Sequence, residues 1–113
     1  MPIISPDHPA FTVIVRVKVS PEHQAAMLEQ SRRMVPVFQK QPGFLFMAVH
    51  RSLDGEEIAS YLQWESQAHH EACQASPEVA AAGGEWMSFI QSGEATFEVR
   101  TYEVAAAAEG PGR

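Results

Sequence analysis

From Phe11 to Val19 the chain puts an apolar residue at every second position, with Phe11, Val13, Val15, Val17 and Val19 on one face. A period of two is that of a half-buried strand, because successive side chains leave a pleated backbone on opposite sides. Ser20-Pro21-Glu22 follows at once: an N-cap, a proline at the first helical position and an acid in the first turn. That combination starts a helix. Its buried stripe is Met27, Met34 and Phe38, joined by Leu28 and Val35. Pro36 removes a backbone donor, so a kink or loosening is expected there, and Pro42-Gly43 ends the helix. The change of period within one short segment commits the chain to a sheet and a helix that bury their apolar faces on each other.

Two further strands are expected from Phe44 to about Ser52 and from Glu56 to Glu65, joined by Leu53-Asp54-Gly55. The loop length decides which side chains share a face. A two-residue Asp-Gly loop pairs Leu53 with Glu56 and sets Trp64 opposite Phe44 and Phe46. A three-residue loop, with Gly55 left-handed in a bulge, pairs Ser52 with Glu56. The second register collects Phe44, Phe46, Ala48 and His50 with Ile58, Ser60, Leu62 and Trp64, and is preferred because it gathers the large aromatics. The opposite face then holds Leu45, Met47, Val49 and Arg51 with Ala59, Tyr61, Gln63 and Glu65. Half of that second set is apolar as well, whereas an antiparallel sheet with a solvated face should be polar there. Cover by another subunit is the simplest explanation. Ser66 caps a second helix running to about Gln74, and Pro77-Glu78-Val79 starts a third that is interrupted at Gly83-Gly84. A last strand is expected from Ala95 to Val104. The order β-α-β-β-α-β is the ferredoxin-like α+β plan.

Length and charge exclude several classes. At 113 residues the chain is one domain, with residues 1–9 an N-terminal extension, 10–104 the folded unit and 105–113 a frayed tail. An apolar fraction of 45% and a charged fraction of 19% are ordinary for a soluble domain. No run reaches the ~18 apolar residues of a membrane span, and the N-terminus lacks the regions of a signal peptide, so a cytoplasmic protein is expected. A formal charge of −6 opposes nucleic-acid binding, which needs a basic face. Cys73 is the single cysteine, which rules out an intrachain disulfide and a zinc-finger spacing. His69 and His70 are adjacent and point about 100° apart on a helix, so they do not share an ion easily. Cys73 stands four residues after His69 and three after His70, yet spacing places no further ligand with them. No metal site is expected.

The run of strand, helix, Pro42-Gly43-Phe44, a strand ending near His50, Asp54-Gly55 and then Tyr61-Leu62-Gln63-Trp64-Glu65-Ser66 resembles the antibiotic biosynthesis monooxygenase family. The likeness spans about residues 10–104 and is nearest to the cofactor-independent oxygenases that turn anthrones into quinones in aromatic polyketide pathways. It implies a homodimeric α+β barrel, each subunit ferredoxin-like, with sheets back to back and a pocket between each sheet and its helices. It also implies a small aromatic substrate, dioxygen and no cofactor. By correspondence the family's tryptophan is Trp64 and its strand-two histidine is His50. A tyrosine six residues after the tryptophan falls on His70, an asparagine four residues before it falls on Ser60, and an arginine in the later helical segment has no match between Pro77 and Ile90.

Cofactor-free oxygenation asks the protein for a base titrating near neutrality, a dry flat slot and donors for a developing oxyanion. His50 and His70 are the candidate bases, because histidine titrates there without a large shift. Trp64 is placed to stack on the substrate and Ser60 to donate a hydrogen bond, with Phe44, Phe46, Leu62 and Trp86 lining the slot. Haem degradation, another chemistry of the family, would use His69 or His70 as axial ligand, but the inward face of the first strand offers only valines and no asparagine. The alternatives in other classes are a non-oxidative polyketide cyclase or isomerase, a small-molecule-binding protein of the same fold, and a domain whose pocket is filled core.

Overall fold

The computed structural model describes residues 10–108 and 110–111; the N-terminal extension expected at 1–9 lies outside them. The elements are β1 (Phe11–Val19), α1 (Pro21–Gln39), β2 (Phe44–Arg51), β3 (Glu57–Trp64), α2 (Gln67–Gln74), α3 (Pro77–Ala82), α4 (Gly84–Gln91) and β4 (Ala95–Glu103). Four strands form one antiparallel sheet in the order β2-β3-β1-β4, with the helices on one side. This is the ferredoxin-like α+β arrangement. Among the described residues no helix is long and apolar enough to cross a membrane.

β1 keeps its expected bounds, and α1 begins at Pro21 with Ser20 extended. The Ser20 hydroxyl caps no backbone amide; it sits 2.8 Å from His23 Nδ1 instead. α1 continues through Pro36 to Gln39 as one helix, ending shortly before Pro42-Gly43 as expected. Pro36 is exposed, so its ring and its missing donor meet solvent rather than the core. Lys40 then caps the helix, and Gly43 makes the exit at φ +79°, in the left-handed region where glycine costs least. The later glycines divide two helices as expected: α3 stops at Ala82 and α4 starts at Gly84.

The hairpin register is not the one preferred from sequence. Ser52 N–H donates to Glu57 O at 2.9 Å, leaving four residues, Leu53 to Glu56, in the loop. The Asp54 carboxylate holds this loop by accepting from Ser52 Oγ at 2.7 Å and from Glu56 N–H at 2.9 Å, while Glu57 N–H donates to Ser52 Oγ at 2.8 Å. These bonds hold the Asp54 carboxyl below its usual range. From α1, Gln24 Nε2 donates to the carbonyls of Ser52 and Glu57, and Val19 N–H donates to Glu56 O. The loop is therefore tied to two other elements. Pairing follows from it: Arg51 with Ile58, His50 with Ala59, Val49 with Ser60, Ala48 with Tyr61, Met47 with Leu62 and Phe46 with Gln63. An irregularity between Phe44 and Phe46 then restores Phe44 opposite Trp64.

Residues paired across antiparallel strands share a face. Phe44, Met47 and Val49 thus join Ile58, Ser60, Leu62 and Trp64 beneath the helices, while Phe46, Ala48 and His50 turn to the other side. Two apolar clusters fill the helix side. One is Val17, Val19, Met27, Ile58 and Ala95; the other is Val13, Leu62, Trp64 and Cys73. Val15 packs against both.

Candidate active site

Between the two clusters lies a partly open cavity of about 620 Å³, within the range of small-molecule sites. Its floor is the sheet: Val13 and Val15 of β1, Ser60, Leu62 and Trp64 of β3, Met47 of β2, Phe97 and Val99 of β4. Its walls are α1, through Ser31, Met34 and Phe38, and α2, through His70 and Cys73. Trp86, Met87 and Gln91 of α4 cover it with Val79 of α3. Neither α3 nor α4 has a buried residue, so this cover is the thinnest part of the enclosure.

His70 reaches the cavity because α2 is anchored at its first turn. Ser66 Oγ accepts from His69 N–H at 3.2 Å and lies 2.8 Å from His69 Nδ1. The His69 ring packs on Gly43, where a Cβ would overlap it. One turn of helix is thus clamped between the end of β3 and the entry to β2, and the next side chain, His70, faces inward. It lies 5.5 Å from the Phe11 ring and 6.1 Å from Trp64, centroid to centroid. Burial disfavours the imidazolium and lowers the pKa of His70, outweighing the opposite influence of Glu71. Burial therefore favours the neutral imidazole.

Trp64 is 1% exposed. Phe38 and Phe44 meet it edge-on at 6.4 and 5.5 Å, and His70 leans on it. Little of the indole is open for the stacking expected of it; it lies in the cavity floor as a buried wall against which His70 packs. Its N–H is buried and has no hydrogen-bond partner among the described residues. Ser60 is 8% exposed and lines the cavity. Leu62 lines it too, and Trp86 lies over it, donating from Nε1 to Ser31 Oγ at 3.3 Å and packing edge-on to Phe97 at 5.3 Å. Phe44 stands behind Trp64 rather than in the lining.

His50 and Phe46 are corrected by the register. His50 pairs with Ala59 on the face away from the helices and is exposed. Phe46 is on that face as well, 6.3 Å from the Tyr61 ring. The four-residue loop sends both to the far side, so His50 cannot serve as a base in this cavity. Ser31 is a lining residue that the sequence reading passed over. The signal was there: a polar residue four positions after Met27 and three before Met34, inside the buried stripe of α1. Cys73 is buried and apolar surroundings push its thiol up to about 11, so it is an un-ionised packing group. Among the described residues no group of three or more histidine, cysteine or acidic side chains could hold a metal ion.

Residues 10–85 match the model of a family described as antibiotic biosynthesis monooxygenase. The chain belongs to that family. The tetracenomycin-F1 monooxygenase of Streptomyces glaucescens is 32% identical over 80 residues, 70% of this chain and 71% of that protein. A monooxygenase from the gene ActVA-Orf6 of Streptomyces coelicolor, solved with the ligand nanaomycin D, is 25% identical, with a TM-score of 0.69 over 91% of this chain and 96% of that one. SnoaB from Streptomyces nogalater, a cofactor-independent oxygenase, shares the fold at 16% identity, with a TM-score of 0.66 over 92% and 98% of the two chains. The family match covers β1 to the start of α4 and so includes His70, Ser60, Leu62 and Trp64.

Proposed function

We propose that the chain is a cofactor-independent monooxygenase acting on a phenolic or anthrone-type aromatic polyketide-like molecule. The observation that carries this reading is the apolar cavity with a neutral imidazole, His70, in its wall. In the proposed reaction an activated ring methylene gives a proton to His70. The resulting delocalised carbanion gives one electron to dioxygen, and the radical pair joins in a carbon–oxygen bond. The imidazolium of His70 returns its proton to the peroxide anion, and loss of water from the resulting hydroperoxide leaves a ketone and the neutral histidine. One dioxygen enters and one quinone and one water leave, with the substrate carbon supplying every electron that reduces the oxygen. Ser60 and Ser31 supply hydroxyl donors to the developing oxyanion; the Ser31 oxygen accepts from Trp86 and retains its own proton to give. Leu62, Val13, Val15 and Met34 keep the slot dry.

The family membership and the similarity to the tetracenomycin-F1 monooxygenase support this reading. Its test is oxygen uptake by chelator-treated, flavin-free protein given an anthrone. The expected result is one dioxygen consumed per quinone formed, with the rate greatly reduced in His70→Ala. Turnover under argon would instead indicate a cyclase or isomerase, and an inert protein would sink the proposal.

We also infer that the outer sheet face packs on a second copy of the chain. Ile14, Phe46, Ala48, Ala59 and Tyr61 lie there without helices above them. Gln63 on the same face is 2% exposed, and its amide donates to Tyr61 Oη at 2.9 Å and Thr12 Oγ1 at 3.3 Å. A polar side chain satisfied internally, set among apolar ones, suits contact with protein better than contact with water.

A further inference from the structure

The helix that carries His70 has little apolar packing of its own. Cys73 is the single buried residue among the eight of α2, whereas α1 buries Met27, Ser31 and Met34 over its 19 residues. What fixes the start of α2 is His69. Its backbone N–H donates to Ser66 Oγ at 3.2 Å, and its ring Nδ1 lies 2.8 Å from the same oxygen. A hydroxyl donates to a bare ring nitrogen or accepts from a protonated one, so this link holds in either tautomer. The other part of the ring, Cγ and Cδ2, lies so close on Gly43 that a Cβ there would overlap it. Gly43 O in turn accepts from Glu65 N–H at 2.8 Å, one residue before Ser66. The ring is thus wedged between the residue that enters β2 and the residue that caps α2. The exposed Glu65 carboxylate, 4.0 Å from Nε2, adds little to this.

We propose that His69 is a positioning residue for His70: its wedged ring sets the rotation of α2 about its own axis, and so the place of the His70 imidazole in the cavity wall. This rests on the reading of His70 as the base and deepens it. Consecutive side chains on an α-helix point about 100° apart, so the two rings move together when the helix turns. A side chain on the helix surface stands ~5 Å from the axis, and a turn of about 10° carries it roughly 1 Å. A misplacement of that size costs on the order of 10²-fold in rate. On its own side His70 leans on Phe11 and Trp64, and apolar contact lacks the direction of a hydrogen bond. The direction comes from His69.

The test reads His70 directly. Histidine ring resonances of nitrogen-labelled protein, assigned with His70→Ala, follow its titration in the free enzyme, where burial outweighs Glu71 and holds the pKa below the ordinary value of about 6.5. In His69→Ala the His70 pKa is expected to rise toward that value. There kcat should fall roughly tenfold or more, with KM changed by about twofold or less. His69→Phe, which keeps a ring on Gly43, should recover most of both; His69→Asn, which keeps a polar group for Ser66 but no ring, should not. His69→Phe removes the same titrating group as His69→Ala, so a mere charge effect would move the two alike and would overturn the inference. A folded His69→Ala or His69→Asn protein with the wild-type His70 pKa and kcat overturns it as well. Should His69→Ala not fold, the contrast between His69→Phe and His69→Asn decides. The titration needs no substrate: a wild-type protein that consumes no oxygen with an anthrone sinks the oxygenase reading, while the resonances still decide whether His69 places His70.

Discussion

His70 is the residue on which the proposed chemistry turns. A base must be unprotonated to work, and burial lowers the pKa of His70 below its ordinary value of about 6.5. The expected pH profile of kcat/KM is flat above neutrality and falls on the acid side, with its midpoint below that of a free imidazole. In His70→Ala that acid limb should vanish and kcat should drop about 10²–10⁴-fold. His50→Ala makes the contrasting prediction: lying on the opposite face, it should alter kcat/KM by no more than about twofold. Equal losses in the two variants would contradict the register. Trp64 is read best through stability, since it is nearly inaccessible and packed by Phe38, Phe44 and His70. Trp64→Ala is expected to lower the unfolding free energy by about 3–5 kcal/mol, measured by urea denaturation.

At the scale of elements, α2 is positioned by a clamp rather than by a large apolar face; Cys73 is its single buried residue. Gly43 at φ +79° lies against the His69 ring, and Gly43 O accepts from Glu65 N–H at 2.8 Å. In Gly43→Ala the new methyl group must displace that ring, and the backbone is left in a disfavoured region. A loss of at least about 1–2 kcal/mol is expected, along with a fall in kcat larger than any change in KM, because His70 is carried on the displaced turn. Pro77-Glu78 marked the start of α3, and the Ser66 cap that starts α2 was legible locally, since it is a serine before a helix whose hydroxyl accepts an amide three residues on. The hairpin loop was not. Leu53-Asp54-Gly55 accommodates loops of different length, and the bonds that select among them come partly from Gln24 and Val19, which are distant in sequence.

For the whole molecule, the outer sheet face predicts a particle of twice 12.5 kDa in sedimentation at micromolar concentration. Phe46→Asp, on that face and away from the cavity, should shift it toward the monomer; a monomeric wild-type protein would contradict the proposed packing. The order of elements, the strand and helix starts and the ferredoxin-like plan were all readable in the chain, because each follows from a period of two or 3.6 and from caps a few residues away. Trp64 beside a helix start was readable for the same reason. Which histidine shares its face was not. Register is dictated by pattern only when one face of a strand is apolar and the other polar, and here Phe46 and Ala48 match Met47 and Val49 in hydrophobicity. With local pattern indifferent, a four-residue loop and an irregularity near Leu45 made the choice. They turned His50 outward and left the cavity to His70.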